Sequence, residues 1–189
     1  MTKKSKDLEQ QLKEAHYRGW HIARTSHEGV TTEFEYSVFR FQQAFERWVM
    51  QLASITGMSE LSYIEVVILH VIRMHDRPKT AAIIARQLNR DDIPNIQYCL
   101  RKLVKTNFCR KVKESSGKTY AFEVTQKGRI LADSYAELRR GILTDQTNSI
   151  DKIDEKLRET TRLISLLTGL YDEAGRISAT YSPIDITVE

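Results

Sequence analysis

The chain has 189 residues, 41% hydrophobic and 29% charged, with only 3 prolines, 8 glycines and a formal net charge of +4. That length suits one domain with helical extensions and a core that needs no staples, and the scarcity of proline and glycine favours helix. Cys99 and Cys109 lack a CxxC spacing, no apolar run approaches a membrane span, and residues 1–14 are charged where a secretory signal needs an apolar centre; a cytoplasmic chain with no membrane partner is expected.

Residues 1–16 can form a charged amphipathic arm through Leu8, Leu12 and Ala15, a length at which an isolated helix is marginal. From Thr31 to Ile55 the apolar residues Val38, Phe41, Phe45, Trp48, Leu52 and Ile55 recur at spacings of three and four, which places them on one helical stripe. Thr31 or Thr32 is the expected cap, Glu33 and Glu35 suit the helix N-terminus, and Gly57 is the expected stop. Ser62 and Glu65 have capping-box spacing in front of Tyr63 to Met74, a helix apolar on most sides, although its many β-branched residues leave a strand open. Thr80 caps a short helix to Leu88. After Asn89-Arg90-Asp91-Asp92, a further helix begins near Asp92, with Pro94 tolerated in its first turn. Ile96, Cys99, Leu100, Leu103 and Val104 form its inner stripe and leave Asn95, Gln97, Tyr98, Arg101, Lys102 and Lys105 outside.

Phe108 to Lys113 and Tyr120 to Val124 flank a Ser/Gly/Lys tip and read as a β-hairpin. Thr125 can cap another helix to about Arg140. A final long helix carries Ile150, Ile153, Leu157, Thr160, Ile164, Leu167 and Tyr171 in a coiled-coil-like seam. Packing of such a seam against another helix of the same chain is common. Charge is segregated: Arg73 to Lys118 holds 12 basic residues against 4 acidic ones, and the rest of the chain holds 17 against 21. Such a basic module suits a phosphate-facing surface, the alternative being a merely solvated face.

From Phe34 to Leu170 the chain resembles a MarR-type winged helix-turn-helix transcription regulator. The resemblance rests on TAAIIARQLN, IPNIQYCLRKLVKTNFC, the strand-turn-strand wing, VTQKG after it and the long C-terminal helix. Asn107 stands where glycine is usual, a mild departure because Asn tolerates the left-handed conformation. The wing tip Glu114-Ser115-Ser116-Gly117-Lys118 lacks the family's usual Asp-x-Arg pair, with Lys118 as the nearest substitute. The implied fold is mainly α with a small β-hairpin wing. Its division is an N-terminal arm (1–30), an N-terminal dimerisation helix (31–56), the winged helix-turn-helix (57–140), a C-terminal dimerisation helix (141–175) and a tail (176–189).

The implied function is a homodimer that binds a pseudo-palindromic operator in double-stranded DNA, with half-sites about one helical turn apart. For base contact the candidates are Asn95, Gln97, Tyr98 and Lys102; for phosphate contact they are Arg86, Arg101, Lys105, Lys111, Lys113 and Lys118. The family implies a small aromatic effector, for which Phe41, Phe45, Trp48, Tyr63 and His70 are pocket candidates, with plain core or dimer packing as the alternative. Cys99 and Cys109 are expected to be packed thiols. No cofactor or metal is expected, since His70 and His75 lack metal-binding spacing. With no phosphate-binding glycine loop, nucleophile elbow or paired metal motif, an enzyme is not expected. The competing function is a winged-helix interaction or scaffold module without specific DNA binding.

Overall fold

The computed structural model describes residues 6, 10, 19–113 and 119–183. The N-terminal arm read through Leu8, Leu12 and Ala15, the wing tip with Lys118, and the tail beyond residue 183 lie outside the described residues. Two structural units, residues 1–136 and 137–189, make up the chain.

In the first unit, helix α1 (Ser26–Ile55) begins five residues before the expected Thr31. Thr25, not Thr31 or Thr32, is its cap: the Thr25 hydroxyl accepts from Glu28 N at 3.2 Å, and the Glu28 carboxylate accepts from Thr25 N at 2.8 Å. This capping box satisfies two amides that the helix leaves unpaired. Thr31 and Thr32 instead donate back to the carbonyls of His27 and Glu28 within the helix. Gly57 follows the helix at φ +84°, a left-handed position that suits glycine.

Helix α2 (Tyr63–Arg73) settles the helix-or-strand alternative. Val66, Ile68, Leu69, Val71 and Ile72 are buried in it, so tertiary burial overrides the weak helix preference of β-branched residues. A 3-10 turn (Met74–Asp76) leads into strand β1 (Lys79–Thr80), which the sequence did not reveal because two residues display no periodicity. Lys79 is buried, and its ammonium donates to the carbonyls of Ile72 at 3.1 Å and Met74 at the end of α2 and to that of Arg77 after the 3-10 turn. A cation there satisfies orphan carbonyls and opposes the helix dipole.

Helix α3 (Ala81–Gln87), capped by Thr80, and helix α4 (Ile93–Lys105) form the helix-turn-helix. Strands β2 (Cys109–Lys113) and β3 (Tyr120–Val124) pair antiparallel, Lys111 opposite Phe122, and β1 joins the free edge of β3 to give the order β1-β3-β2. Asn107 adopts φ +61° at the turn from α4 into β2, as its place in the motif required. The core is formed where Leu52, Ile68, Ile84, Leu100, Leu103 and Phe108 meet, all essentially without exposure.

Helix α5 (Gln126–Arg139) starts against β2. Thr125 Oγ1 donates to the Asn107 carbonyl at 2.6 Å and accepts from Gly128 N at 3.1 Å. Asp76 and Asp133 bind Arg73 and Arg129 at 2.8–3.1 Å, joining α5 to the end of α2.

In the second unit, α5 runs into a π-helical turn (Arg140–Thr144) and a short helix, α6 (Asp145–Thr147). Lys152 at φ +52° precedes the last helix, α7 (Ile153–Ser178), which extends three residues past the expected end at Gly175 and excludes Ile150. No side chain of α7 is buried, and Leu157, Ile164 and Tyr171 of the seam are exposed.

A Cβ at Gly128 would lie 2.1 Å from the Phe108 carbonyl oxygen, a backbone atom just before β2 that accepts from Thr125 N at 3.0 Å. Gly128→Ala is therefore expected to lower unfolding free energy by about 1–3 kcal/mol in urea titration, the usual cost of overpacking; an unchanged midpoint would show that α5 can move away freely.

Candidate nucleic-acid interface

Burial decides the two faces of α4. Ile96, Cys99, Leu100 and Leu103 point into the core, which turns Gln97, Tyr98, Arg101 and Lys105 to solvent. The inner stripe is as expected, with Val104 half-buried at its margin. Cys99 and Cys109 are both buried; burial pushes the Cys99 thiol up and the Cys109 thiol up to about 12. Neither carries the thiolate that reactivity needs at neutral pH.

Asp92 organises the start of α4. Its carboxylate accepts from Arg90 at 2.6 and 2.8 Å and from Asn95 Nδ2 at 3.1 Å. The Arg90 guanidinium, with Asn95 beside it, holds the Asp92 carboxyl down at about 2. Asn95, a candidate for base contact, thus has an amide hydrogen on Asp92 while its side chain stays exposed.

Lys102 also differs from expectation. Its ammonium donates to Glu65 Oε2 at 2.8 Å and to the Glu60 carbonyl at 2.7 Å. Glu65 is itself buried and accepts from Ser62 N at 2.7 Å, the capping box read in the sequence. Burial raises the Glu65 carboxyl, but the bonds from Lys102 and Ser62 outweigh it and leave Glu65 below the ordinary carboxylate range. Helical periodicity shows that Lys102 lies at the edge of the outer face; it does not show that a carboxylate 37 residues earlier lies within reach of its flexible stem.

Between the N-terminus of α3, the outer face of α4 and the wing lies an open cleft of about 620 Å³. Gln97 and Arg101 line it from α4, Lys111 and Tyr120 from the strands, and Thr80 and Ala81 from α3. Two cation–aromatic pairs border it: the Arg101 guanidinium 5.8 Å from the Tyr98 ring centre and the Lys111 ammonium 5.4 Å from that of Tyr120. Sequence reasoning missed Tyr120, whose position opposite Lys113 in the hairpin was the available signal. Arg86 on α3, Lys105 at the end of α4 and Lys113 on the wing are exposed. Arg110, in contrast, pairs with Glu123 across the wing at 2.6 Å.

The five pocket candidates lie on α1 and α2. Phe41 and Phe45 stack with ring centres 6.1 Å apart on the exposed stripe of α1, and Phe41 is 71% exposed. Trp48 and Tyr63 are half-buried. His70 lies two helical turns beyond Tyr63, its ring 4.4 Å from that of Tyr135. Burial pushes the His70 imidazole down, and its Nε2 has no hydrogen-bond partner.

Residues 61–128, which contain α2 to the start of α5, match the family model of the winged helix DNA-binding domain. No curated protein matches the chain by sequence. Among solved structures it is similar to the Staphylococcus aureus MepR–DNA complex (TM-score 0.60, 14% identity, 72% of this chain and 96% of that one). It is also similar to Staphylococcus aureus MarR in complex with salicylate and kanamycin (0.60, 14%, 76% and 93%). A third likeness is to a MarR-family transcriptional regulator from Rhodococcus sp. RHA1 (0.58, 16%, 71% and 94%). The chain therefore contains a winged helix DNA-binding domain, and its fold is that of the MarR type. Among the described residues, no helix is long and apolar enough to cross a membrane.

Lys102→Ala should lower unfolding free energy by about 1–3 kcal/mol, the range for a hydrogen bond to a charged group. On a Glu65→Gln background the loss should shrink markedly; equal losses in both backgrounds would disprove the coupling. The Asp92 carboxyl is depressed in the folded chain, so its contribution is complete above its unfolded value near 4 and is lost as pH falls through about 2. Asp92→Asn should flatten the stability–pH curve between about pH 4 and 2 in acid titrations followed by circular dichroism; an unaltered slope would refute that assignment.

Proposed function

We propose that the protein is a homodimeric transcription regulator that binds a pseudo-palindromic site in double-stranded DNA through α4 and the wing. The observation that carries this reading is the cleft in which Gln97 and Arg101 of α4 stand beside Lys111 and Tyr120 of the wing, inside a matched winged helix DNA-binding domain. Long donors suit base edges and phosphates, and exposed Arg86, Lys105 and Lys113 extend the basic surface.

Dimerisation is supported by apolar seams that the chain leaves open. Phe41 and Phe45 on α1, and Leu157, Ile164 and Tyr171 on α7, are all exposed. A helix of 26 residues with no buried side chain lacks the packing that supplies most helical stability in proteins. A second copy would cover it and set two recognition helices at successive major grooves. An effector of the small aromatic class is part of the same reading. The salicylate complex of the similar MarR structure and the unpartnered Nε2 of His70 beside Tyr135 support it. Such a ligand would act by binding one dimer geometry better than another.

Gel shifts with genomic fragments should yield a sequence-preferring complex whose affinity falls as salt rises, with a log–log slope of about −0.9 per phosphate contacted. A complex without salt dependence, or none, would overturn the DNA reading and favour an interaction module. Sedimentation at micromolar concentration should give a dimer, and Phe41→Asp with Leu157→Asp should give a folded monomer with much weaker operator affinity. A wild-type monomer would overturn the dimer. Salicylate should release the wild-type complex; unchanged shifts at millimolar concentration would remove it as an effector.

A further inference from the structure

We propose that sequence readout in each half-site is carried by Gln97 and Arg101, with Tyr98 positioning the Arg101 guanidinium, so that the preferred half-site holds an adenine and a guanine within about two base pairs of each other. This rests on the DNA-binding reading and goes beyond it by naming what the site selects. The argument begins by elimination on the outer face of α4. Asn95 has its amide nitrogen on Asp92, and Lys102 has its ammonium on Glu65 and the Glu60 carbonyl. Reaching a base would take one donor from Asp92, which would keep only Arg90, or from the buried Glu65, which would keep only Ser62 N, so these two side chains are the costlier readers. Lys105 lies at the last residue of α4, beyond the cleft.

Gln97 and Arg101 remain, and both line the cleft. Four residues apart, they stand one above the other on the helix with about 6 Å of rise between them. That span corresponds to one or two steps of about 3.4 Å in the duplex. A Gln amide pairs with adenine N6 and N7, and a guanidinium pairs with guanine O6 and N7. The rigid fork of Arg101 requires orientation, and Tyr98, three residues before it, provides a face: the guanidinium carbon lies 5.8 Å from the ring centre. Tyr98 is 60% exposed, so its ring is held by no core packing and is available for this purpose.

The test is selection from duplexes randomised over one half-site, sequenced after binding, for the full-length wild type and four variants. The wild type should enrich adenine and guanine at two positions no more than two base pairs apart. Arg101→Ala should lose about ten- to hundredfold discrimination at the guanine alone, and Gln97→Ala a comparable factor at the adenine alone. Tyr98→Leu should weaken guanine preference and spare adenine, whereas Tyr98→Phe should restore it. Uniform loss of affinity over all sequences in Arg101→Ala would make Arg101 a phosphate contact and overturn the inference. Salt-dependent binding with no base preference would overturn it while sparing DNA binding, and absence of any complex would overturn both. All three side chains are exposed, so melting temperatures within a few degrees of wild type separate readout from misfolding.

Discussion

The Glu65 carboxylate is the point at which the winged helix is tied together. It is buried, it closes the capping box of α2 through Ser62 N, and it accepts the Lys102 ammonium from α4. A buried carboxylate without donors would be expensive, so the start of the scaffold helix and the last turns of α4 hold each other in register. With Ile96, Cys99, Leu100 and Leu103 in the core, little rotation of α4 is left, and Gln97, Tyr98 and Arg101 face outward. The presentation of the outer face is thus a consequence of inner packing and one ion pair.

The same logic divides the basic residues of the module into two kinds. Lys79 ends α2 by donating to its carbonyls, Arg73 and Arg129 bind Asp76 and Asp133, Arg90 binds Asp92, and Lys102 binds Glu65. These cations hold elements together and contribute to a ligand only through the long-range field. Arg86, Arg101, Lys105, Lys111 and Lys113 stay exposed around the cleft and on its flanks. A local charge excess therefore overstates the number of cations available to phosphates.

Outside the winged helix, the apolar surface is arranged differently. In α1 the stripe is buried only towards its C-terminal end, at Val49, Leu52 and Ala53, whereas Phe41 and Phe45 stand open. In α7 no seam residue is buried: Ile153 and Leu167 are half-buried, and Leu157, Ile164 and Tyr171 stand open. Exposed aromatic and aliphatic rows of this kind are the usual mark of an interaction surface.

Much of the fold was legible because it is written in local rules. The capping pair Ser62 and Glu65, the Thr80 cap, Pro94 in the first turn of α4, the inner stripe and the left-handed Asn107 all act within a few residues of themselves. The start of α1 was misplaced because Thr25 and Glu28 form the same capping pattern as other Thr and Glu residues nearby, and periodicity does not rank competing caps. Strand β1 escaped because its pairing partner, Phe122, is 43 residues away. The candidate interface was legible as a face and not as a set of roles: Gln97, Tyr98 and Arg101 were placed outward correctly, but whether Asn95 or Lys102 had donors to spare depended on Asp92 and Glu65. The sequence alone thus determined helix period, cap chemistry and charge segregation, each set by neighbours a turn or two away. Only the tertiary structure decided which cations are already bound, because a side chain's partner is chosen by distance in space, and chain separation carries no information about that.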